Sequence, residues 1–157
     1  KTGDLCGTLD LVGDTIYWDQ SYRKSLADKV NRLNLTEKIR LKPHTSDLQQ
    51  AFHSHDVLCM ASENEPFGRV AIEAMSHGLP VISFESGGIC EVVKHGISGF
   101  LVEQNNIKAF AETMEMFIHN PDMIVAMGKS GYQITKENFD RERNIPVIID
   151  KMISLLE

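Results

Sequence analysis

Two glutamates eight residues apart, Glu65 and Glu73, frame the segment of this chain that is best suited to chemistry. Pro66 suits the first turn of a helix, and Gly68 would let a ligand approach the backbone where that helix begins. Backbone N–H groups at a helix start have no intrahelical acceptor, so they attract anions with the help of the helix dipole. We therefore predict an anion site here, and the residues that contribute its N–H groups are Phe67, Gly68, Arg69 and Val70.

The spacing of the two glutamates limits what they could bind. On a continuous helix, at about 1.5 Å per residue, Glu65 and Glu73 would lie roughly 12 Å apart. The paired carboxylates of glycoside hydrolases lie about 5–9.5 Å apart across one bond, so that chemistry fits poorly. Carboxylates accept hydrogen bonds from vicinal hydroxyls, and a diphosphate with a hydroxyl-bearing group at each end fits better. The structural alternative is that Glu65 is a helix-start acid and Glu73 a solvated helix residue.

The elements that must position this segment alternate between short apolar strands and amphipathic helices. Strands are predicted at Thr8–Gly13, Lys38–Leu41, Asp56–Ala61, Pro80–Phe84 and Gly99–Val102. Helices are predicted at Asp19–Leu33, from a Thr45 cap to about His55, at Phe67–His77 and at Gly88–His95. After Asn106 we expect helices in about three pieces, with breaks near Asn120–Pro121 and Asn138.

This alternation predicts βαβ units and a mainly parallel sheet with helices on both faces. We expect one Rossmann-like, doubly wound α/β domain over residues 1–157. Ligands of such sheets bind beyond the carboxyl ends of the strands. Glu65 follows the third predicted strand, which places it at that edge.

Composition and charge exclude several functional classes. The net charge of −6 disfavours nucleic acid as a partner, and no stretch approaches the roughly 18 apolar residues of a membrane span. The six histidines form no ligand-like cluster, so we predict no metal. The three cysteines, Cys6, Cys59 and Cys90, include no CxxC pair, which fits a reducing cytoplasm.

Three sequence blocks in register resemble one family. They are Ser62-x2-Glu65-Pro66-Phe67-Gly68-x4-Glu73-Ala74-Met75-x2-Gly78-x-Pro80-Val81, Gly87-Gly88-Ile89-x-Glu91-Val92-Val93, and His95-Gly96-x2-Gly99-Phe100-Leu101-Val102. Together they resemble the E-x7-E signature of the retaining GT-B glycosyltransferases, the family that includes sucrose synthases. The resemblance extends over most of the chain and implies the C-terminal, donor-binding half of the GT-B fold.

The resemblance implies a role for each site residue. Glu65 would contact the hydroxyls of the donor sugar as the catalytic residue, and Glu73 would hold the ribose. The N–H groups of residues 67–70 would bind the donor diphosphate. The turn containing His44 and Thr45 would lie near the base, and Gly88 in a tight turn beside the donor. The family needs no metal or further cofactor, because the nucleotide sugar is itself the donor substrate.

The resemblance also implies parts that this sequence does not show. We expect a separate N-terminal domain that binds a sugar, glycan or lipid-linked acceptor, as in polysaccharide biosynthesis, and an isolated chain without activity. The first strand and helix of the domain, with the Arg and Lys that grip the diphosphate, find no match here. Lys42-Pro43 replaces a glycine that is usual near the base. We expect a cytoplasmic location, in which any contact with the inner face of a membrane would be made by the other domain.

Two alternatives belong to other classes. A nucleotide-sugar epimerase of the same architecture would need catalytic acids in the other half. A non-catalytic doubly wound module, such as a receiver domain, would need an acidic pocket after the first strand, and Asp14 alone does not form one. The Gly87-Gly88 pair lacks the further glycine of a dinucleotide fingerprint, so it indicates a turn rather than a phosphate loop.

Overall fold

The structure is a computed structural model that describes residues 7–13 and 20–155. Its described residues form two compact units that divide between Ala51 and Phe52. The expectation of a single domain over residues 1–157 stays a prediction. Cys6, Asp14 and the predicted helix start at Asp19 lie outside the described residues.

The first unit contains two parallel strands and a helix. These are β1 (Leu9–Val12), α1 (Gln20–Arg32) and β2 (Ile39–Lys42), with Leu9 opposite Ile39 in the sheet. The guanidinium of Arg23 on α1 donates to the carbonyls of Gly13 at 3.0 Å and Leu41 at 3.2 Å. The helix is thus tied to the carboxyl ends of both strands. All three elements lie within two residues of their predicted bounds.

A carboxylate between two cations stabilises the same two strands. Asp10 on β1 contacts Arg40 Nε and Lys42 Nζ of β2, each at 2.6 Å, and its side chain is almost fully buried beneath them. The two cations alternate along β2, so Arg40 and Lys42 lie on the same face of the strand. Their side chains are about half exposed, but both are engaged across the strand pair.

Helix α2 (Leu48–His53) has a different cap from the predicted one. The Asp47 carboxylate accepts the Gln50 N–H at 2.9 Å, which is the geometry of an N-cap. Thr45 instead accepts the Asp47 N–H at 3.1 Å, in the turn that precedes the helix. The prediction of a Thr45 cap was therefore wrong by two residues, because Asp47 is the side chain that reaches the third N–H of the helix.

The second unit is a three-stranded parallel sheet covered by helices. Strands β3 (Leu58–Met60), β4 (Val81–Phe84) and β5 (Gly99–Val102) pair in that order, and every residue of β4 is buried. Side chains on the two faces of β4 belong to two different hydrophobic cores. Val81 packs with Met75 and Ile89 on one face, while Ile82 packs with Phe110 and Phe117 on the other. The predicted parallel sheet with two covered faces is confirmed in this unit.

Five helices follow the strands of the second unit. They are α3 (Arg69–Ser76), α4 (Ile89–Val92), α5 (Ile107–His119), α6 (Pro121–Asn138) and α7 (Arg141–Ile153). Asn106 caps α5 by accepting the Ala109 N–H at 3.0 Å, and Pro121 begins α6. The two predicted breaks in the C-terminal helices are confirmed. No helix in the part of the chain that the structure describes is long and apolar enough to cross a membrane.

Helices α3 and α6 meet at glycines. Gly78, with φ of +80°, follows the C-cap His77 of α3, which ends one residue before its predicted end. A Cβ atom on Gly128 of α6 would lie 1.9 Å from the Gly78 carbonyl oxygen, so only glycine fits this crossing. One turn later, a Cβ on Gly131 would meet the flexible side chain of Met75 at 3.3 Å. The end of α3 is thus held by direct backbone contact with α6.

Candidate functional site

Glu65 lies in the loop after β3, beyond the carboxyl end of that parallel strand, where it was predicted. The carboxylate is half-buried, and its Oε1 accepts the Gly68 N–H at 2.9 Å. Gly68 has φ of +86°, a left-handed conformation that favours glycine, and α3 begins at Arg69. Glu65 therefore sits against the N-terminus of α3 and satisfies one of its backbone donors.

Two expectations about this helix start were wrong, and a third, the distance between the glutamates, does not apply. The helix was predicted from Phe67 but begins two residues later, at Arg69. Because residues 65–68 are not helical, the separation of roughly 12 Å expected for a continuous helix does not apply to Glu65 and Glu73. The Gly68 N–H, expected to be free, is donated to Glu65. Arg69 and Val70 lie in the first turn, where N–H groups have no intrahelical acceptor.

The loop after β4 interlocks with the loop of Glu65. The Gly88 N–H donates to the Glu65 carbonyl at 3.1 Å, and the Glu65 N–H donates to Ser86 Oγ at 3.4 Å. A Cβ on Gly88 would lie 2.5 Å from the Pro66 carbonyl oxygen, and one on Gly87 would lie 2.3 Å from that of Glu65. Only glycines allow this approach. The predicted turn at Gly87-Gly88 is confirmed, next to Glu65.

A third glycine contact joins the same two loops. A Cβ on Gly68 would lie 2.6 Å from Cδ1 of Ile89, which is the first residue of α4 and is fully buried. The starts of α3 and α4 therefore pack directly on one another. The backbone around Glu65 is shaped by long-range packing as well as by its own sequence.

Glu73 lies on α3, one turn after its start. Its side chain is 35% exposed, and its Oε1 lies 3.6 Å from Arg69 Nη2, whose side chain is 82% exposed. An exposed pair of this length contributes little to stability. Glu73 is thus half-buried without a strong ion pair, and the guanidinium of Arg69 extends along the same helix start. Phe67 and Val70 are also exposed, at 45% and 43%.

His44 and Thr45 belong to the first unit, at the carboxyl end of β2. His44 is exposed and Thr45 is half-buried. Lys42, which stands where a glycine was expected, is held by Asp10. These residues are accessible at the edge of their own sheet, and their proximity to a nucleotide base stays a prediction.

The Cys59 thiol of the second unit is poorly suited to nucleophilic catalysis. Burial raises the pKa of the Cys59 thiol on β3 to about 11, which keeps it neutral and unreactive. Across residues 7–13 and 20–155, no group of three or more His, Cys, Asp or Glu side chains is arranged to hold a metal ion. The two glutamates and the start of α3 remain the best candidates for chemistry.

One contact at this edge could not be predicted from the sequence. Gln104, just beyond β5, donates its side-chain Nε2 to the Glu63 carbonyl at 2.9 Å. Glu63 lies in the loop of Glu65, 41 residues away in sequence. No local pattern marks such a contact, because it depends on the strand order that brings the loops together.

Comparison with known proteins places this chain in a family. The family model described as glycosyl transferases group 1 matches residues 6–134. An uncharacterized glycosyltransferase of Haemophilus influenzae is 30% identical over 123 residues, which are 78% of this chain and 35% of that protein. The alpha-1,3/1,6-mannosyltransferase ALG2 of Mus musculus is 34% identical over 131 residues, 82% of this chain and 31% of the relative. The chain therefore spans about a third of the length of these relatives.

Solved structures agree with this assignment. The crystal structure of Anabaena Alr3699/HepE in complex with UDP superposes with a TM-score of 0.88 at 30% identity, covering 94% of this chain and 41% of that one. The complex of the same protein with UDP-glucose gives a TM-score of 0.85. Parallel sheets with flanking helices are thus the Rossmann-like α/β architecture of GT-B enzymes. The chain belongs to the group 1 glycosyltransferases.

Proposed function

We propose that this chain is the donor-binding domain of a retaining glycosyltransferase that uses a nucleotide-diphosphate sugar. One observation carries the proposal: Glu65, the first turn of α3 and Glu73 form one continuous segment beyond the carboxyl end of β3, with a carboxylate on each side of the helix start. An anion site flanked by two hydrogen-bond acceptors suits a diphosphate that joins two hydroxyl-bearing groups. The UDP and UDP-glucose complexes of the similar Anabaena protein support this choice of ligand.

Each part of the segment takes one part of the donor. Glu73 accepts hydrogen bonds from the ribose hydroxyls, the N–H groups at residues 67–70 bind the diphosphate, and Glu65 contacts the sugar. The Gly68 N–H, which Glu65 accepts in this structure, would pass to the diphosphate as the carboxylate turns to the sugar. Arg69 supplies a positive charge beside the phosphates, and its weak contact with Glu73 leaves the guanidinium available.

The transfer itself follows from these positions. The bond from the sugar C1 to the diphosphate breaks, and the acceptor oxygen bonds to C1 on the same face. The acceptor proton passes to an oxygen of the departing diphosphate. Groups that stabilise the growing phosphate charge, chiefly the backbone N–H groups of α3, then lower the barrier. Glu65 orients the sugar and is the catalytic residue contributed by this chain.

The rest of the enzyme supplies what this chain does not show. We propose that a second domain of the longer protein binds a sugar, glycan or lipid-linked acceptor, and that the transferred group is a hexose. The turn at Gly88 lines the donor site. The reaction needs no metal and no cofactor besides the donor, and it takes place in the cytoplasm.

Titration of this chain with a panel of UDP-, GDP- and ADP-sugars tests the proposal. We expect one nucleotide to bind in calorimetry, with the matching nucleoside diphosphate binding to the same site in competition. The inorganic diphosphate control should bind much more weakly, because it lacks the ribose that Glu73 holds. If no member of the panel binds at millimolar concentration, the chain is not a donor-binding domain.

A further inference from the structure

The loop that carries Glu65 is fastened by side chains from both other strands of its sheet. Ser86, after β4, accepts the Glu65 N–H at 3.4 Å. Gln104, after β5, donates to the Glu63 carbonyl at 2.9 Å, two residues before Glu65. Strand β4 lies between β3 and β5, so Gln104 reaches across the carboxyl end of the central strand. The contact joins the two outer strands of the sheet at the edge where the candidate site lies.

The contact with Glu63 leaves the other polar atom of the Gln104 amide unsatisfied. Its Oε1 is buried and has no hydrogen-bond partner among the described residues. An unsatisfied buried acceptor is unfavourable, and a glutamine free to rotate would turn this oxygen toward solvent. The amide is instead held in the one orientation that presents Nε2 to the Glu63 carbonyl. This arrangement indicates a constraint on the loop rather than an incidental surface contact.

The remaining restraints on the loop act on different atoms. Gly88 donates to the Glu65 carbonyl at 3.1 Å, and Glu65 Oε1 accepts the Gly68 N–H at 2.9 Å. Both hold the loop on its α3 side. On the other side, Ser86 Oγ accepts the Glu65 N–H itself, and Gln104 is the side chain that holds the Glu63 carbonyl, two residues earlier. Without that restraint, residues 62–64 could shift and carry the Glu65 backbone with them, while α3 and Glu73 stayed in place.

We propose that Gln104 is a positioning residue for Glu65, which sets the sugar end of the donor site and leaves the nucleotide end unaffected. This inference rests on the proposed function, in which Glu65 contacts the sugar and Glu73 the ribose. Gln104 would therefore affect the affinity for the sugar without contacting the donor itself. The effect of Gln104 should therefore be visible only with ligands that carry the sugar.

The test compares UDP and UDP-glucose binding to this chain by calorimetry, with the other nucleotides of the panel used if one of them binds better. Gln104→Met keeps the length of the side chain and removes the donor. Gln104→Glu keeps the shape and directs a carboxylate oxygen at the Glu63 carbonyl. Both variants should lower the affinity for the nucleotide sugar about 2- to 10-fold, which corresponds to the loss of one hydrogen bond. The affinity for the free nucleotide should change less than about 2-fold.

A matched control and a second background separate positioning from general damage. Gln133→Met removes a comparable amide donor, which bonds Glu137 at 2.6 Å within α6, and should leave both affinities at the wild-type values. In a Glu65→Gln background, Gln104→Met should add less to the loss than it causes alone, because both changes act on one contact. Equal loss of nucleotide and nucleotide-sugar binding in both Gln104 variants would indicate a merely structural role.

The outcomes also separate this inference from the proposed function. If wild type binds nucleotide sugar and both Gln104 variants keep the wild-type ratio of the two affinities, the positioning role is wrong and the proposed function stands. If wild type binds nucleotide and nucleotide sugar equally, there is no sugar contact to position; this inference and the sugar contact proposed for Glu65 then both fail, while the nucleotide site stands. If wild type binds no nucleotide, the proposed function fails, and this inference fails with it.

Discussion

The crossing of α3 and α6 offers a matched pair of substitutions that tests the packing behind the candidate site. Gly128 and Gly131 both lie in α6, and both are buried. Replacing either with alanine should gain about 0.8–1 kcal/mol from helix propensity. The two positions differ in what the new methyl meets. At Gly128 it would lie 1.9 Å from the Gly78 carbonyl oxygen, and at Gly131 it would lie 3.3 Å from Met75 Cγ.

A backbone carbonyl that ends α3 cannot move without moving the helix, whereas a methionine side chain can adjust. Overpacking typically costs about 1–3 kcal/mol, and the Gly128 contact is at the severe end of that range. Gly128→Ala should therefore lose roughly 2 kcal/mol net, which lowers the melting temperature by about 4–8 °C for a chain of this size. Gly131→Ala should be neutral or stabilised by up to about 1 kcal/mol.

Thermal and denaturant unfolding of the two variants and wild type, followed by circular dichroism, measure this difference. In both experiments Gly131→Ala should be more stable than Gly128→Ala. Equal stabilities for the two variants, or a Gly128→Ala protein as stable as wild type, would show that α6 does not contact the end of α3 as closely as described.

Three further outcomes follow from the same structure and proposal. Burial raises the pKa of the Cys59 thiol to about 11, so about one thiol in a thousand should be ionised at pH 8. Iodoacetamide should therefore modify Cys59 after unfolding but not in the native chain, and rapid native labelling in mass spectrometry would show that this thiol is not shielded. The purified 157-residue chain should not transfer sugar from any donor of the panel, since we propose that a second domain of the longer protein binds the acceptor, and measurable turnover would refute the two-domain account. The full-length enzyme should keep its rate in EDTA, and a strict requirement for Mg²⁺ or Mn²⁺ would contradict the metal-independent mechanism.

Much of the fold was predictable because its signals are local. Strand β5 has the predicted bounds, Gly99–Val102, and α3 ends within one residue of its predicted end at His77, just before Gly78, which adopts the left-handed conformation. Buried parallel strands are short and continuously apolar, and helix ends carry capping residues, so each signal lies within a few residues. Asn106 and Pro121 likewise marked the starts of α5 and α6.

The start of α3 was less predictable because it depends on distant parts of the chain. Gly68 takes its positive φ where Glu65 accepts its N–H and Ile89 packs against its Cα. The alternation of strands and helices placed Glu65 at the carboxyl edge of the sheet, where the structure has it. It did not show that Glu65 satisfies a backbone donor, or that Gln104 restrains the loop from 41 residues away. Such contacts follow from the packing of three loops and have no periodic pattern.

The central claim is that Glu65 and Glu73 hold opposite ends of one donor. Glu73→Gln keeps the side-chain shape but removes the charge, and its exposed contact with Arg69 contributes little to stability. Glu65→Gln keeps an oxygen that can accept the Gly68 N–H, so the start of α3 should be preserved. Both variants should therefore fold, and differences between them should report on ligand contacts.

Calorimetry with the free nucleoside diphosphate and the nucleotide sugar on both variants tests this claim most directly. Glu73→Gln loses charge-assisted hydrogen bonds worth about 1.5–3 kcal/mol each, so its affinity for the free nucleotide should fall roughly 10- to 100-fold. Glu65→Gln should bind the free nucleotide nearly like wild type and weaken the nucleotide sugar. If Glu73→Gln binds the free nucleotide like wild type, Glu73 does not hold the ribose, and the assignment of this segment as a donor site is contradicted.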